Sequence, residues 1–238
     1  ALHACGVRAA AGPQRAVQSG AISAGAMRNA IMLFSGLALV SGIGLLYEAL
    51  KNATWQAFVA FLGLGVLAII AAITYTAGKR PYGYVGLGDL SVLIFFGWVG
   101  VLGSYYLHTQ LFDWQLLLPA TSCGLFAVGV LNINNIRDIE SDTLTGKRSV
   151  PVRIGREKAV RYHWILLSIG MLCSAAYLLR QETTPLQWLF VLSFPLFVRN
   201  GLAVSKLTNP RELDPYLKQM ALSTLLFVLL FGIGYWVG

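Results

Sequence analysis

Seven stretches of this chain contain no Asp, Glu, Lys or Arg: residues 29–47, 52–78, 90–112, 114–136, 162–179, 183–198 and 219–238. A helix needs about 20 apolar residues to cross a hydrocarbon core of roughly 30 Å. Six of the stretches reach that length or nearly so. The seventh, 183–198, reaches it only by continuing past Arg199, whose side chain then has to snorkel or face the bundle interior. A large soluble core is the competing reading, but its helices would carry polar faces at the 3.6-residue period. These stretches are apolar almost all round. The chain is 56% hydrophobic and only 12% charged, against roughly 25% charged residues in ordinary soluble domains. That balance excludes a soluble enzyme, and it excludes disorder, which needs low hydrophobicity and high charge. The reading is an all-α integral membrane bundle. Its spans are expected near 29–49, 53–75, 88–108, 113–134, 161–180, 184–204 and 217–237, after an N-terminal arm over 1–28.

Seven spans put the two termini on opposite sides, and the connections then sort by charge. The arm and the segments 75–90, 135–161 and 199–218 fall on one side and hold sixteen of the eighteen basic residues. The other side keeps only Lys51 and Arg180. Under the positive-inside rule the basic side is cytoplasmic, which points to a multi-pass membrane protein with the lipid bilayer as its first partner. The net charge of +8 is then mostly orientation and headgroup contact, with no nucleic-acid footprint. Cys5, Cys123 and Cys173 show no CxxC spacing, and His3, His108 and His163 do not cluster, so no zinc site is suggested. The arm is too polar for the apolar region of a signal peptide. Residue 1 is Ala, and the chain is read as a fragment or a processed form.

The chemistry gathers at the end of the fourth span. Asn132, Asn134 and Asn135 lie at its cytoplasmic end, where amides without partners would be costly in hydrocarbon; a cavity or an interface is expected to receive them. If the helix continues, Asn134, Asp138 and Asp142 fall on one face at i, i+4 and i+8. Like charges so spaced repel, and a bound cation would offset that. An oxygen-only donor set suits a hard cation such as Mg2+, which typically takes one or two carboxylates and completes its shell with water and phosphate. Lys147, Arg148, Arg153, Arg156 and Lys158 follow directly, as a diphosphate would require. A solvated charged loop is the plainer alternative. The loop 135–161 is rich in helix formers and charged pairs, and is expected to be ordered. A second loop, YTAGKRPYGYVGLGD at 75–89, lies on the same side and is read as a second wall of one pocket; a basic, aromatic interfacial anchor would also account for it.

NNIRDIESDTLTGKRSVPVRIG at 134–155 resembles the second aspartate-rich motif of the UbiA superfamily of membrane prenyltransferases, with its two aspartates four apart followed by Gly-Lys and Val-Arg-x-Gly. The loop 75–89 and GDLSVLIFFGW after it resemble the branch that prenylates 1,4-dihydroxy-2-naphthoate. GPQRAVQSGAIS at 12–23 resembles the stretch following the first aspartate-rich motif. The resemblance implies a Mg2+-dependent transfer of a polyprenyl group from its diphosphate to the naphthoate, with loss of CO2, giving a demethylmenaquinone. Asp138 and Asp142, supported by Asn134, would hold the metal and diphosphate. Lys147 and Arg153 would contact phosphate. Arg137 and Arg148 are weaker choices, since Glu140 or lipid could pair with them. Tyr75, Lys79, Arg80 and Tyr84 would line the pocket, Tyr75 as an aromatic wall near the prenyl cation. Asp89 would orient the acceptor or cap the next helix. The family fold has nine helices, so the chain is expected to lack the first two and the first aspartate motif; its activity as given is not assured. Another aromatic acceptor, or a transporter, are the readings kept beside this one.

Overall fold

A computed structural model describes residues 17, 19–78 and 81–238. Lys79, Arg80, Cys5, His3 and residues 12–16 and 18 of the segment 12–23 lie outside the described residues. No strand occurs among the described residues. Seven helices are long and apolar enough to cross a membrane: α1 (Ala24–Ala49), α2 (Trp55–Thr76), α3 (Gly88–Thr109), α4 (Trp114–Arg137), α7 (Arg156–Leu178), α8 (Pro185–Lys206) and α9 (Pro210–Val237). Two short helices, α5 (Ile139–Leu144) and α6 (Val150–Ile154), lie between α4 and α7. The chain forms an all-α, multi-pass membrane bundle.

Local chemistry explains where these helices begin. Ser23 and Thr54 cap α1 and α2, each accepting from the backbone N–H three residues on, at 3.1 and 3.3 Å, as short hydroxyl side chains do at helix starts. The charge-free stretches understate α1, α7 and α9 at their basic ends. A charge does not stop a helix that has left the hydrocarbon, and in α7 Arg161 and Glu157 form an i,i+4 pair at 2.7 Å. Arg199 does not end α8 either. It lies on the exposed surface of that helix, so the snorkelling option, not the interior one, is realised.

The core sits among α4, α7, α8 and α9. Phe126 of α4 stacks on Phe197 of α8 with ring centroids 4.1 Å apart, and Phe227 of α9 meets Phe126 edge-on at 5.1 Å. All three are buried. Between α3 and α4 the backbones themselves touch. A Cβ added at Gly97 would lie 2.7 Å from the Ala120 carbonyl oxygen, and one at Gly124 only 3.1 Å from the Gly97 Cα. Small residues at both sides permit that approach, which is how membrane helices gain dispersion contact without a hydrophobic drive. Beside the crossing, residues Leu93–Val99 of α3 wind as a π-helix. By contrast, α1 and α2 bury almost nothing of their apolar faces.

Most polar side chains inside the bundle find a partner, as burial demands, although Asn132 Oδ1, Ser149 Oγ and His163 Nδ1 are buried without one. The His163 and Asn200 side chains, both fully buried, meet at 3.0 Å (Nε2 to Oδ1). Asn200 Nδ2 donates to the Tyr216 carbonyl at 2.9 Å and to Gln219 Oε1 at 2.5 Å. This network fixes the register of α7, α8 and α9. The histidine is thus a structural link between helices, which its isolation in the sequence did not suggest.

The ends of the bundle differ. Exposed aromatic residues stand at one end: Tyr47 near the end of α1, Trp55 and Trp114 at the starts of α2 and α4, and Trp236 at the end of α9. Such rings favour a membrane interface. The opposite end carries the loops rich in Lys and Arg.

Candidate active site

At the basic end α4 passes into α5 through Asp138, whose φ of −95° and ψ of 9° interrupt the regular helix. The i→i+4 backbone bonds nevertheless run through, from Asp138 N–H to the Asn134 carbonyl at 3.1 Å and from Asp142 N–H to that of Asp138 at 2.8 Å. Asn134, Asp138 and Asp142 therefore follow one another on successive turns, the first two sharing Arg137 and the third paired with Lys147. Arg137 grips Asp138 with two donors, Nε to Oδ1 at 2.8 Å and Nη2 to Oδ2 at 3.1 Å. Its Nη2 also donates to Asn134 Oδ1 at 2.8 Å, and its Nη1 to Asp214 Oδ1 at 2.6 Å. Lys147 lies 2.6 Å from Asp142 Oδ2 and donates to Asn135 Oδ1 at 3.1 Å.

The asparagine row meets the interior, as its cost in hydrocarbon requires. Asn132 is fully buried and donates to the Ala159 carbonyl at 3.1 Å, and Asn135 is 3% exposed. Asp142 is equally hidden, at 4%. Arg137 bonds the side chains of Asn134, Asp138 and Asp214, not Glu140. Its second carboxylate comes from the start of α9, 77 residues away in sequence.

The two polar loops are stitched together. Arg148 N–H donates to the Tyr84 carbonyl at 2.8 Å. Arg153 spans the seam, with Nε to the Arg148 carbonyl at 3.0 Å and Nη2 to the Val85 carbonyl at 2.5 Å. Gly86 allows this. Its φ is +83°, and a Cβ there would lie 2.9 Å from Arg153 Nε. Arg153 thus joins the two walls through backbone oxygens, while Arg148 is exposed and Tyr84 half-buried. Lys79 and Arg80 lie outside the described residues.

Tyr75 ends α2 beneath this seam. Its hydroxyl lies so close to Gly88 that a Cβ there would be 2.9 Å away, with Leu131 of α4 on the other side at 3.3 Å. Tyr82 packs edge-on to it at 5.3 Å and shares a hydrogen bond of 2.9 Å with Ser91. These residues, with Ala68, Ala71 and Phe95, line a cavity of about 320 Å³ between α2 and α3. A further apolar cavity of about 420 Å³, walled by Phe61, Leu64, Trp98 and Tyr106, lies farther along the same two helices. Asp89 does not cap α3, whose start has no side-chain cap bond. It accepts instead from the Tyr162 hydroxyl of α7 at 3.0 Å. Asn135 is named from the sequence in the asparagine row, but neither Tyr162 nor Asp214 is. Tyr162 and Asp214 join the site from 73 and 77 residues away, and no local pattern signals them.

Among the described residues no three His, Cys, Asp or Glu side chains gather in a way that could hold a metal. The oxygens of Asn134, Asp138 and Asp142 fit a hard divalent cation in a narrower sense. They offer one or two carboxylates, and phosphate and water would have to complete the shell. Arg137 and Lys147 neutralise the two acids. The basic end thus combines acids, cations and an apolar cavity, an arrangement able to receive an amphiphile with an anionic head.

Residues 7–227 match the model of the UbiA prenyltransferase family. The chain is 46% identical over 230 residues to a protein of Haemophilus influenzae named 1,4-dihydroxy-2-naphthoate octaprenyltransferase, covering 95% of this chain and 73% of that protein. The namesake from Escherichia coli K12 is 46% identical over 223 residues, covering 94% and 72%. That from Mycobacterium tuberculosis is 32% identical over 218 residues, covering 92% and 71%. No solved structure matches the chain. The chain belongs to the UbiA prenyltransferase family.

Proposed function

We propose that this chain transfers a polyprenyl group from an allylic diphosphate to 1,4-dihydroxy-2-naphthoate, with loss of CO2, giving a demethylmenaquinol. The enzyme class is an aromatic prenyltransferase. The observation that carries the reading is the two acids Asp138 and Asp142, one turn apart and held by Arg137 and Lys147, at the end of the bundle where an apolar cavity reaches Tyr75. Relatives named for this reaction, from three bacteria, support the choice of acceptor.

The family uses a divalent metal, and we infer that here it is Mg2+, held by Asp138 and Asp142 with Asn134. A bound cation of this kind supplies charge withdrawal from the departing diphosphate. The chain's own residues do the rest. Lys147, released from Asp142, and the exposed Arg148 meet the phosphate charge. The α2–α3 cavities take the first part of the prenyl tail. Cleavage of the allylic C–O bond leaves its electron pair on the diphosphate and an allylic cation on the prenyl carbon. The Tyr75 ring stabilises that cation through its face. Asp89, held by Tyr162, orients a hydroxyl of the naphthoate so that an electron-rich ring carbon attacks. The C–C bond forms, and the carboxyl group departs as CO2. Arg153 and Gly86 keep the two loops at the right separation. Arg137 keeps Asn134 and Asp138 together, and Tyr84 borders the entrance. The basic end faces the cytoplasm and the host membrane is the bacterial inner membrane, by the charge bias of the loops and the aromatic residues at the opposite end.

Membranes carrying the protein, given polyprenyl diphosphate, Mg2+ and a panel of aromatic acids, test this by mass spectrometry of the products. A prenylated, decarboxylated naphthoquinol is expected. Turnover of a hydroxybenzoate or homogentisate instead would reject the acceptor, and substrate flux into liposomes without transfer would reject the class.

A further inference from the structure

Arg137 is the most heavily used cation at the site. Its side chain, 10% exposed, serves Asn134, both oxygens of Asp138, and Asp214. Asp214 reaches it from a segment that is pinned from several directions. Arg156 of α7 donates to the carbonyls of Val204 and Leu207, just before that segment. Asn209 caps the turn Pro210–Leu213 by accepting from Arg211 N–H at 3.1 Å, and Leu213 is fully buried. Asn200 holds the Tyr216 carbonyl from inside the bundle. Asp214 is therefore delivered to Arg137 by the packing of α7, α8 and α9, and it also opens the α-helical part of α9 after the turn Pro210–Leu213, where a negative charge is favoured.

A bidentate arginine–carboxylate pair is among the strongest side-chain contacts. If Arg137 belonged to Asp138 alone, a divalent cation would have to break that pair unaided. A second carboxylate on the same guanidinium divides its charge. When Asp138 turns to a cation and a diphosphate, Arg137 still has Asp214 and is not left as an unpaired, largely buried charge, which would be costly. We propose that Asp214 is a positioning residue: it retains Arg137 when Asp138 exchanges its arginine for a divalent cation with diphosphate. This rests on the prenyl-transfer reading above. Asp214 touches no reacting atom in this scheme and acts through Arg137.

The test uses the protein as encoded, with any residues preceding Ala1, purified in detergent. Mn2+ with inorganic pyrophosphate serves as the probe, and the rise in thermal midpoint as the readout, alongside a cation titration of prenyl transfer. Asp214→Asn, nearly isosteric at a half-exposed position, is expected to raise the Mn2+ concentration for half-maximal stabilisation by about tenfold, equivalent to ~1.4 kcal/mol. The cation requirement of turnover should rise in parallel, with kcat at saturating cation little changed. Asp214→Glu should return both values to within about twofold of the parent. If Asp214→Asn lowers the midpoint of the unliganded protein but leaves the half-maximal Mn2+ concentration where it was, Asp214 is only a staple between α4 and α9 and the proposal falls. A parent protein that neither responds to Mn2+ with pyrophosphate nor transfers a prenyl group would overturn the prenyl-transfer reading, and the proposal with it. A parent that does both, beside an unaltered Asp214→Asn, overturns the proposal alone.

Discussion

Lys147 Nζ lies 2.6 Å from Asp142 Oδ2, and the pair is nearly enclosed, with 15% and 5% of the two side chains exposed. Removing one partner of such a pair leaves an uncompensated charge, at a cost of about 3–5 kcal/mol. Lys147→Met is therefore expected to lower the thermal midpoint of the purified protein by several degrees. Asp142→Asn with Lys147→Met together should recover much of that loss. Thermal denaturation of the three variants measures the difference, and a double variant no more stable than Lys147→Met would contradict the pairing.

Asp138→Ala and Asp142→Ala are each expected to abolish prenyl transfer, while membrane insertion persists because the seven apolar helices are untouched. Quantifying protein in the membrane fraction beside product formation separates the two effects. Normal turnover in either variant would remove that acid from the metal site.

Gly86 holds a left-handed conformation and faces Arg153 Nε. A side chain at φ +83° costs about 1–2 kcal/mol, and its Cβ would also displace the arginine. Gly86→Ala should accordingly part the two loops. The expected result is a rise in KM for both substrates. Limited proteolysis should cut faster within 81–87 and 145–149. An unaltered digestion pattern would show that the seam does not depend on this residue.

Tyr162→Phe removes one hydrogen bond to Asp89. A hydrogen bond to a charged group contributes about 1.5–3 kcal/mol. If Asp89 orients the acceptor, KM for the naphthoate should rise about tenfold or more, and KM for the prenyl diphosphate should stay constant. An equal effect on both substrates would place Asp89 elsewhere in the mechanism.

Ala71 is a small residue in the wall of the cavity beside Tyr75. Ala71→Phe is expected to reduce turnover of a long polyprenyl diphosphate while sparing a short one such as dimethylallyl diphosphate. Comparing the two donors by product yield tests whether the tail runs between α2 and α3.

Membrane helices and the acid motif were legible in the sequence for a plain reason: both are local. A run without charge reads directly as a span, and Asp138 and Asp142 declare their spacing within one helical turn. The partners of those acids are another matter. Nothing near Arg137 announces Asp214, and nothing near Asp89 announces Tyr162, because both contacts are made by helices that meet only after packing. Arg153 shows a further limit. Its place after the aspartates suggests a phosphate ligand, whereas in the structure it is bound to two carbonyl oxygens. The backbone acceptors that claimed it have no sequence signature.

The π-wound stretch Leu93–Val99 gives α3 two independent faces. Ser91 before it and Phe95 within it look toward the α2 cavity; beyond Gly97, Trp98 reaches α4, donating from Nε1 to Thr121 Oγ1 at 3.0 Å. A π segment accommodates extra chain within a helix that otherwise turns by roughly 100° per residue. Deleting a single residue between 93 and 99 would let the helix relax to regular winding and rotate one half against the other. The span would still cross the bilayer, yet its cavity lining and its glycine seam could no longer be satisfied together. In genetic terms, this stretch should tolerate exchange of one apolar residue for another far better than it tolerates a change of length by one codon.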